Sequence, residues 1–166
     1  MRSILSALLL AAGLATVNAA PAPLKSAVVR PAPDFTFPGI SKAQSLKGVR
    51  GQPVVLVIAP SPKNGDFKAQ VKILKEIYQQ FANKQVIFAA AFSGESGPVK
   101  SDIPFVVTNN GPGVAGAYGL TEKDKFNIAI IGKDGNLDYQ TNKVIGAARV
   151  RDVIQNSYAV QAGTGR

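Results

Sequence analysis

The sequence predicts an α/β domain whose mixed β-sheet of about four to five strands is flanked by helices. Two hydrophobic patterns alternate along the chain. Continuous apolar runs rich in β-branched residues are typical of strands buried on both faces, and apolar residues spaced three and four apart are typical of one helix face. An Asp134-Gly135 pair between two apolar runs also predicts a β-hairpin near the C-terminal end. Together these patterns give the order β-α-β-(α)-β-β-α.

The first half of the domain contains a predicted strand, a long helix and a second strand. The run Pro53–Ile58 predicts the first strand, and Val86–Phe92 predicts the second. Between them, Asn64 and Asp66 provide side chains suited to a helix N-terminus. The apolar face of this predicted helix of about four turns consists of Phe67, Val71, Leu74, Ile77, Tyr78 and Phe81.

The second half is predicted to hold two further strands, a short helix, the hairpin partner and a final helix. The predicted strands are Phe105–Thr108, Phe126–Ile131 and Leu137–Gln140, and the short helix lies around Val114–Tyr118. The last helix is expected to bury Ala147, Val150, Ile154 and Tyr158. A βαβ unit requires a right-handed parallel crossover, and the hairpin adds antiparallel pairs, so the sheet should be mixed. A small Rossmann-like sheet is the alternative architecture.

The first 19 residues have the three-part layout of a secretory signal peptide. Arg2 precedes an apolar stretch, Ile4–Thr16, and small residues Val17 and Ala19 stand before a cleavage site at Ala20. The stretch is too short to cross a bilayer, which needs about 20 apolar residues. We therefore expect export to the periplasm or the extracellular space, the alternative being a buried N-terminal helix.

The rest of the chain divides by composition into three segments. Residues 20–33 are rich in Pro and Ala and are expected to form an extended arm. Residues 34–160 form the predicted domain, and residues 161–166 a polar, disordered tail. No apolar segment after residue 19 is long enough to predict a membrane span.

The chain contains neither cysteine nor histidine. A thiolate is the nucleophile in thiol peroxidases and disulfide oxidoreductases, so both activities are excluded. The usual zinc ligand sets and the Ser-His-Asp and Cys-His catalytic arrangements cannot be built either. We therefore expect no catalytic residue, no metal site and no cofactor, and a binding protein rather than an enzyme.

Several segments resemble the peroxiredoxin and thioredoxin superfamily. Ala32-Pro33-Asp34-Phe35 and the run from Leu46 to Leu56 look like the opening of a peroxiredoxin, and Tyr118-Gly119-Leu120 and Ile131–Leu137 look like two later segments. The resemblance covers about residues 33–158. It implies a thioredoxin-like fold, with an enzyme of non-thiol chemistry as an alternative function.

The same resemblance locates five positions where redox chemistry is degenerate. In peroxiredoxins the first strand is followed by Pro, then Thr or Ser, then the peroxidatic Cys. Aligning that Pro with Pro60 puts the Thr position at Asn64 and the Cys position at Phe67. The family's late Arg falls at about Phe126, and the cis-Pro position of thioredoxins falls near Asn127.

A second resemblance is to a cysteine-poor thioredoxin-like domain of unknown function, called DUDES. It occurs in bacterial exported proteins and in animal extracellular sushi-repeat proteins. The residues that resemble it are Val55–Pro62, the helix around Gln70, and Ile130–Gly135. The resemblance implies a binding or matrix-associated role outside the cytoplasm, and it does not imply a catalytic residue.

One segment, Gly111–Gly116, matches the G-x-G-x-x-G pattern of dinucleotide-binding loops. Nucleotide binding is therefore a further alternative. Against it, Pro112 removes a backbone N–H that a pyrophosphate would need, and the predicted helix is short. The strand before it also comes late in the domain, whereas the fingerprint belongs to the first βα turn. A tight turn with close helix packing explains the glycines equally well.

The chain is basic, with 19 Lys and Arg against 10 Asp and Glu and a net charge of +9. Lys68, Lys72 and Lys75 recur at helical spacing and form the candidate anion-binding stripe. Its partner would be an anionic polymer, an envelope surface or a protein; a solvated helix face is the alternative. Sequence-specific nucleic-acid binding is not expected, because the aromatic residues fall on apolar faces.

Overall fold

A computed structural model describes residues 30–39, 42–81, 85–120 and 125–163, the last six by their backbone only. The predicted signal peptide, residues 20–29 of the predicted arm and the last three residues lie outside the described residues. Within the described part of the chain, every helix is too short or too polar to cross a membrane.

The domain contains seven strands, three α-helices and one short 3-10 helix in its described residues. In chain order these are β1 (Thr36–Phe37), β2 (Gln44–Ser45), the 3-10 helix (Leu46–Val49), β3 (Val54–Ala59), α1 (Gly65–Phe81), β4 (Ile87–Phe92), β5 (Phe105–Val107), α2 (Gly111–Ala117), β6 (Asn127–Ile131), β7 (Leu137–Thr141) and α3 (Ala147–Gly163).

Five strands form one mixed sheet in the order β5-β4-β3-β6-β7. The pairs β3–β4 and β4–β5 are parallel, while β3–β6 and β6–β7 are antiparallel. The strands β3, β4 and β6 are buried on both faces because helices cover both sides of the sheet. The predicted α/β fold with a mixed sheet flanked by helices is thus confirmed.

The β6–β7 hairpin turns at the predicted Asp134-Gly135 pair. Gly135 has φ 83°, a conformation that glycine adopts without steric cost. Its N–H donates to the Gly132 carbonyl at 3.0 Å, and the Asp134 carboxylate accepts from the Asn136 N–H at 3.0 Å. These bonds account for the turn residues. The β6–β7 pairing shifts register between Ile130 and Ile131, close to the turn.

One face of the sheet packs against α1 and α3. The Asn64 side chain caps α1 by accepting from the Phe67 N–H at 3.0 Å. Phe67, Leu74, Ile77 and Phe81 are buried from α1, and Val150 and Ile154 from α3. Gln70 is also fully buried: its side-chain amide donates to the Ile145 carbonyl at 3.1 Å and accepts from the Ile145 N–H at 2.9 Å.

The opposite face packs against α2 and the N-terminal elements. Strand β1 pairs antiparallel with β2 in a separate two-stranded sheet, and neither strand is among the predicted elements. Ala32 N–H donates to the Gly135 carbonyl at 3.0 Å, and Leu137 N–H donates to the Arg30 carbonyl at 2.8 Å. The last residues of the predicted arm are therefore held against the hairpin.

The prediction for α2 was wrong at its start. The helix begins at Gly111, not near Val114, because the Asn110 side chain caps it by accepting from the Gly113 N–H at 3.1 Å. The last helix likewise continues beyond residue 160, to Gly163. Tyr158, predicted on its inner face, lies outside the residues whose side chains are described.

Candidate functional site

The five positions assigned to degenerate redox chemistry lie at one end of the sheet, where the central strand β3 ends and β6 begins. Pro60 directly follows β3, and Asn64 and Phe67 stand at the N-terminal end of α1. Asn127 begins β6 opposite Ile58, near the carboxyl end of β3, and Phe126 precedes it. The fold thus brings together residues from two segments that are about 60 positions apart in sequence.

Two of these positions are occupied by core phenylalanines. Phe67 and Phe126 each expose only 2% of their surface and belong to the same apolar cluster. The Phe67 ring meets the Phe92 ring edge-on at 5.2 Å between centroids and lies 6.2 Å from the Phe105 ring. Such pairs stabilise a core beyond the area that they bury. The end of the sheet beside α1 is therefore packed with hydrocarbon.

The other three positions are Pro60, Asn64 and Asn127, and their environments are those of a loop, a helix cap and a buried strand residue. Asn64 caps α1, and Pro60 is half-buried in the loop that leads to it. Asn127 is buried, and its side-chain oxygen has no hydrogen-bond partner among the described residues. None of the three can assist a thiolate, because the chain contains no cysteine.

A groove of about 930 Å³ lies between α1 and the loop that joins β4 to β5. We call it the α1 groove. Phe67 lies beneath it, so the groove borders the position assigned to the peroxidatic cysteine. It is lined by Pro62, Lys63, Phe67, Lys68, Val71, Lys72, Lys75, Glu95, Ser96, Gly97, Pro98, Val99, Lys100, Ser101 and Asp102.

All three lysines of the predicted stripe line this groove. Lys68, Lys72 and Lys75 are exposed along α1. The structure adds Lys63 and Lys100, which lie outside the helical spacing of the stripe. Their participation depends on how the β4–β5 loop packs, and helical spacing carries no information about that.

Two of the five lysines are paired with carboxylates of the loop. Lys63 Nζ lies 3.2 Å from Glu95 Oε1, and Lys75 Nζ contacts Asp102. More than half of each side chain is exposed, so these pairs add little to stability. They do connect the helix with the loop at two points of the groove.

The remaining three lysines, Lys68, Lys72 and Lys100, have no ion pair or hydrogen bond from their ammonium groups within the described ranges. With five lysines and two carboxylates, the lining carries a formal charge of +3. A concave surface of one sign concentrates ions of the opposite sign. The α1 groove is the candidate anion-binding site.

The glycine-rich segment 111–116 has a structural explanation. A methyl group at Gly111 would overlap the backbone carbonyl of Phe92, and one at Gly113 would overlap the side chain of Asn110. The two glycines therefore allow α2 to approach β4 closely and to be capped. Their presence needs no phosphate ligand.

Tyr118, from the segment that resembles the superfamily, joins α2 to the N-terminal chain. Its hydroxyl donates to the Pro33 carbonyl at 2.9 Å, and the side chain is buried. Burial raises the pKa of Tyr118 well above its usual value, and the nearby Asp34 carboxylate raises it further. The tyrosine is thus held as a neutral hydrogen-bond donor.

The sheet order, the crossover helix α1 and the closing hairpin define the thioredoxin-like fold, here without cysteine. Three solved structures with that fold illustrate the similarity. They are a protein provisionally described as the thiol:disulfide interchange protein DsbE from Chlorobium tepidum, the exposed lipoprotein thioredoxin Etrx1 from Streptococcus pneumoniae, and the peroxidoxin BcpB from Mycobacterium tuberculosis.

Each of these structures matches over most of its length at low sequence identity. The Chlorobium protein has a TM-score of 0.61 and 16% identity over 78% of this chain and 96% of its own. Etrx1 has a TM-score of 0.56 and 17% identity, and the match covers 75% of this chain and 99% of Etrx1. BcpB has a TM-score of 0.56 and 14% identity, and the match covers 80% of this chain and 96% of BcpB. At this identity the similarity is one of fold. No family model matches the chain. No curated protein matches it either.

Proposed function

We propose that this chain is an exported, non-catalytic thioredoxin-like domain that binds an anionic partner through the α1 groove. The partner is an anionic polymer, an anionic envelope surface or an acidic protein. The proposal of export rests on the layout of residues 1–19, and the resemblance to the DUDES domain supports a role outside the cytoplasm.

The observation that carries the proposal is a basic groove with unpaired lysines that lies against the packed core at the end of the sheet. Phe67 occupies the position that the resemblance assigns to the cysteine and is buried in the core. Directly above it, Lys68, Lys72 and Lys100 line a groove without carboxylate partners among the described residues. The edge that redoxins use for redox chemistry is here suited to hold an anion.

Retention on an immobilised sulfated polyanion, such as heparin, tests the binding function. Exposed charges act over a Debye length of ~10 Å at 0.1 M salt and ~3 Å at 1 M. We expect the purified protein to be retained at low salt and to elute as salt rises, with an unchanged circular dichroism spectrum. Failure to bind both this polyanion and acidic peptides at low salt would contradict the proposal.

Assays of peroxide reduction and of disulfide reduction test the non-catalytic part. We expect rates equal to the buffer background, because no side chain can act as the thiolate nucleophile. Turnover above background that increases with protein concentration would instead indicate an enzyme with non-thiol chemistry.

A further inference from the structure

We infer that the α1 groove takes an extended acidic peptide segment in which carboxylate side chains alternate with apolar ones. This inference rests on the proposed function and specifies its ligand. Three features of the groove carry it: the spacing of its lysines, its apolar floor and the two loop carboxylates that already occupy part of it.

The spacing of the lysines along α1 matches the side-chain repeat of an extended peptide. Lys68 and Lys72 are separated by about 6 Å along the helix, and Lys68 and Lys75 by about 10 Å, given a rise of ~1.5 Å per residue. Side chains on one face of an extended chain recur every ~6.7 Å. Two carboxylates at alternate positions can therefore face Lys68 and Lys72.

The floor of the groove is apolar between these charges. Val71 and Val99 are half-buried there, Phe67 lies beneath them, and Pro62 and Pro98 are also part of the lining. An extended peptide that presents carboxylates on one face turns its intervening side chains the other way. Apolar intervening side chains would cover this floor, whereas a sulfated glycan has no comparable group.

The loop already places two carboxylates against lysines of the groove. Glu95 contacts Lys63, and Asp102 contacts Lys75, so carboxylates already occupy two of the five ammonium groups. Because both pairs are largely exposed and weak, a ligand can exchange with them at little cost. Peptide carboxylates would add contacts to Lys68, Lys72 and Lys100 and compete for the other two.

Fluorescence anisotropy with three labelled probes tests the inference on the purified protein. The first probe is a peptide of alternating Glu and Leu, the second alternates Glu and Ser at the same charge, and the third is a heparin-derived oligosaccharide. We expect the Glu-Leu peptide to bind at least tenfold more tightly than the Glu-Ser peptide, since only its leucines cover the floor.

Two variants locate the binding. Lys68→Glu with Lys72→Glu should weaken the Glu-Leu peptide at least tenfold. Glu95→Gln with Asp102→Asn should tighten it at least threefold, because it removes the internal competitors. The matched control for the second variant is Asp138→Asn with Asp152→Asn, an equal change in charge at exposed positions outside the groove lining; it should change binding less than twofold.

The outcomes separate this inference from the proposed function. Equal binding of the two peptides, or binding of the oligosaccharide alone, would overturn the peptide inference and leave the anion-binding function standing. Unchanged or weaker peptide binding after Glu95→Gln with Asp102→Asn would also overturn it. If none of the three probes bound at low salt, the proposed function itself would fail.

Discussion

The side chain at position 67 packs the core at one end of the sheet. Phe67 is enclosed by Phe92 and Phe105, and Phe126 belongs to the same cluster. A thiolate needs an electropositive, partly exposed environment. The enclosed aromatic cluster provides neither polarity nor exposure, so the residue acts through packing.

The first prediction concerns that packing. Phe67→Ala should lower the free energy of unfolding by about 3–5 kcal/mol, because it removes a buried ring and leaves a cavity. The measurement is the midpoint of chemical denaturation with its slope. The control is Lys68→Ala on the next, exposed position, which should stay within ~0.5 kcal/mol. Equal midpoints for the two variants would show that Phe67 is not part of the core.

The second prediction concerns the buried tyrosine. Since burial raises the pKa of Tyr118 in the folded state above its value of about 10 in the unfolded chain, deprotonation favours unfolding. The stabilisation of the folded state by neutral Tyr118 is fully present below about pH 10 and is lost as the pH rises above that value. Wild-type stability should therefore fall more steeply than that of Tyr118→Phe as the pH rises above about 10, the pKa of an unfolded tyrosine.

The comparison is the pH slope, because Tyr118→Phe also loses the hydrogen bond to the Pro33 carbonyl at every pH. The lost hydrogen bond lowers the free energy of unfolding by about 1 kcal/mol at every pH, so it does not change the pH slope. Parallel curves for the two proteins would contradict the assignment of Tyr118 as a buried neutral donor.

At the scale of the elements, one buried amide joins α1 to the chain that enters α3. The two hydrogen bonds between Gln70 and the Ile145 backbone bridge 75 residues of sequence. Both Ile145 groups are buried and would otherwise lack partners, which costs about 1–3 kcal/mol for each group. The glutamine therefore fixes where α3 begins relative to α1.

The third prediction follows from this bridge. Gln70→Leu replaces the amide by an apolar side chain of similar size and leaves the Ile145 N–H and carbonyl unpaired, so the free energy of unfolding should fall by about 1–3 kcal/mol or more. Gln79→Leu, on the exposed face of the same helix, is the control and should change it by less than ~0.5 kcal/mol. Equal stability of the two variants would mean that the bridge is not needed.

The sequence predicted those elements whose pattern is long enough to repeat. The continuous apolar runs predicted β3, β4 and β6, because these strands are buried on both faces. The apolar spacing of three and four predicted α1, because this helix is buried on one face. The two-residue strands β1 and β2 leave no period to detect. The start of α2 was missed because Pro112 and Gly113 look like a turn until Asn110 is seen to cap them.

At the scale of the whole molecule, the candidate site was predicted only in part. The stripe of Lys68, Lys72 and Lys75 was visible from spacing along one helix. The opposite wall of the α1 groove comes from a loop whose contact with α1 is set by tertiary packing, so Lys100 and the carboxylates of Glu95 and Asp102 could not be assigned from spacing.

Anion binding by this protein could come either from its overall net charge of +9 or from the particular lysines of the α1 groove. Net charge acts over the whole surface and is insensitive to which lysine is changed. A built groove depends on particular lysines, because it places them together without neutralising partners. Two variants of identical charge can therefore distinguish the two accounts.

The elution of those variants from immobilised heparin in a salt gradient is the most direct test. Lys68→Glu with Lys72→Glu removes two of the three unpaired lysines of the groove, while Lys125→Glu with Lys143→Glu changes two exposed lysines outside its lining. Anion binding by the groove predicts that the first variant elutes at clearly lower salt than both the second variant and the wild type. Identical elution of the two variants would contradict it and leave only a basic, solvated surface.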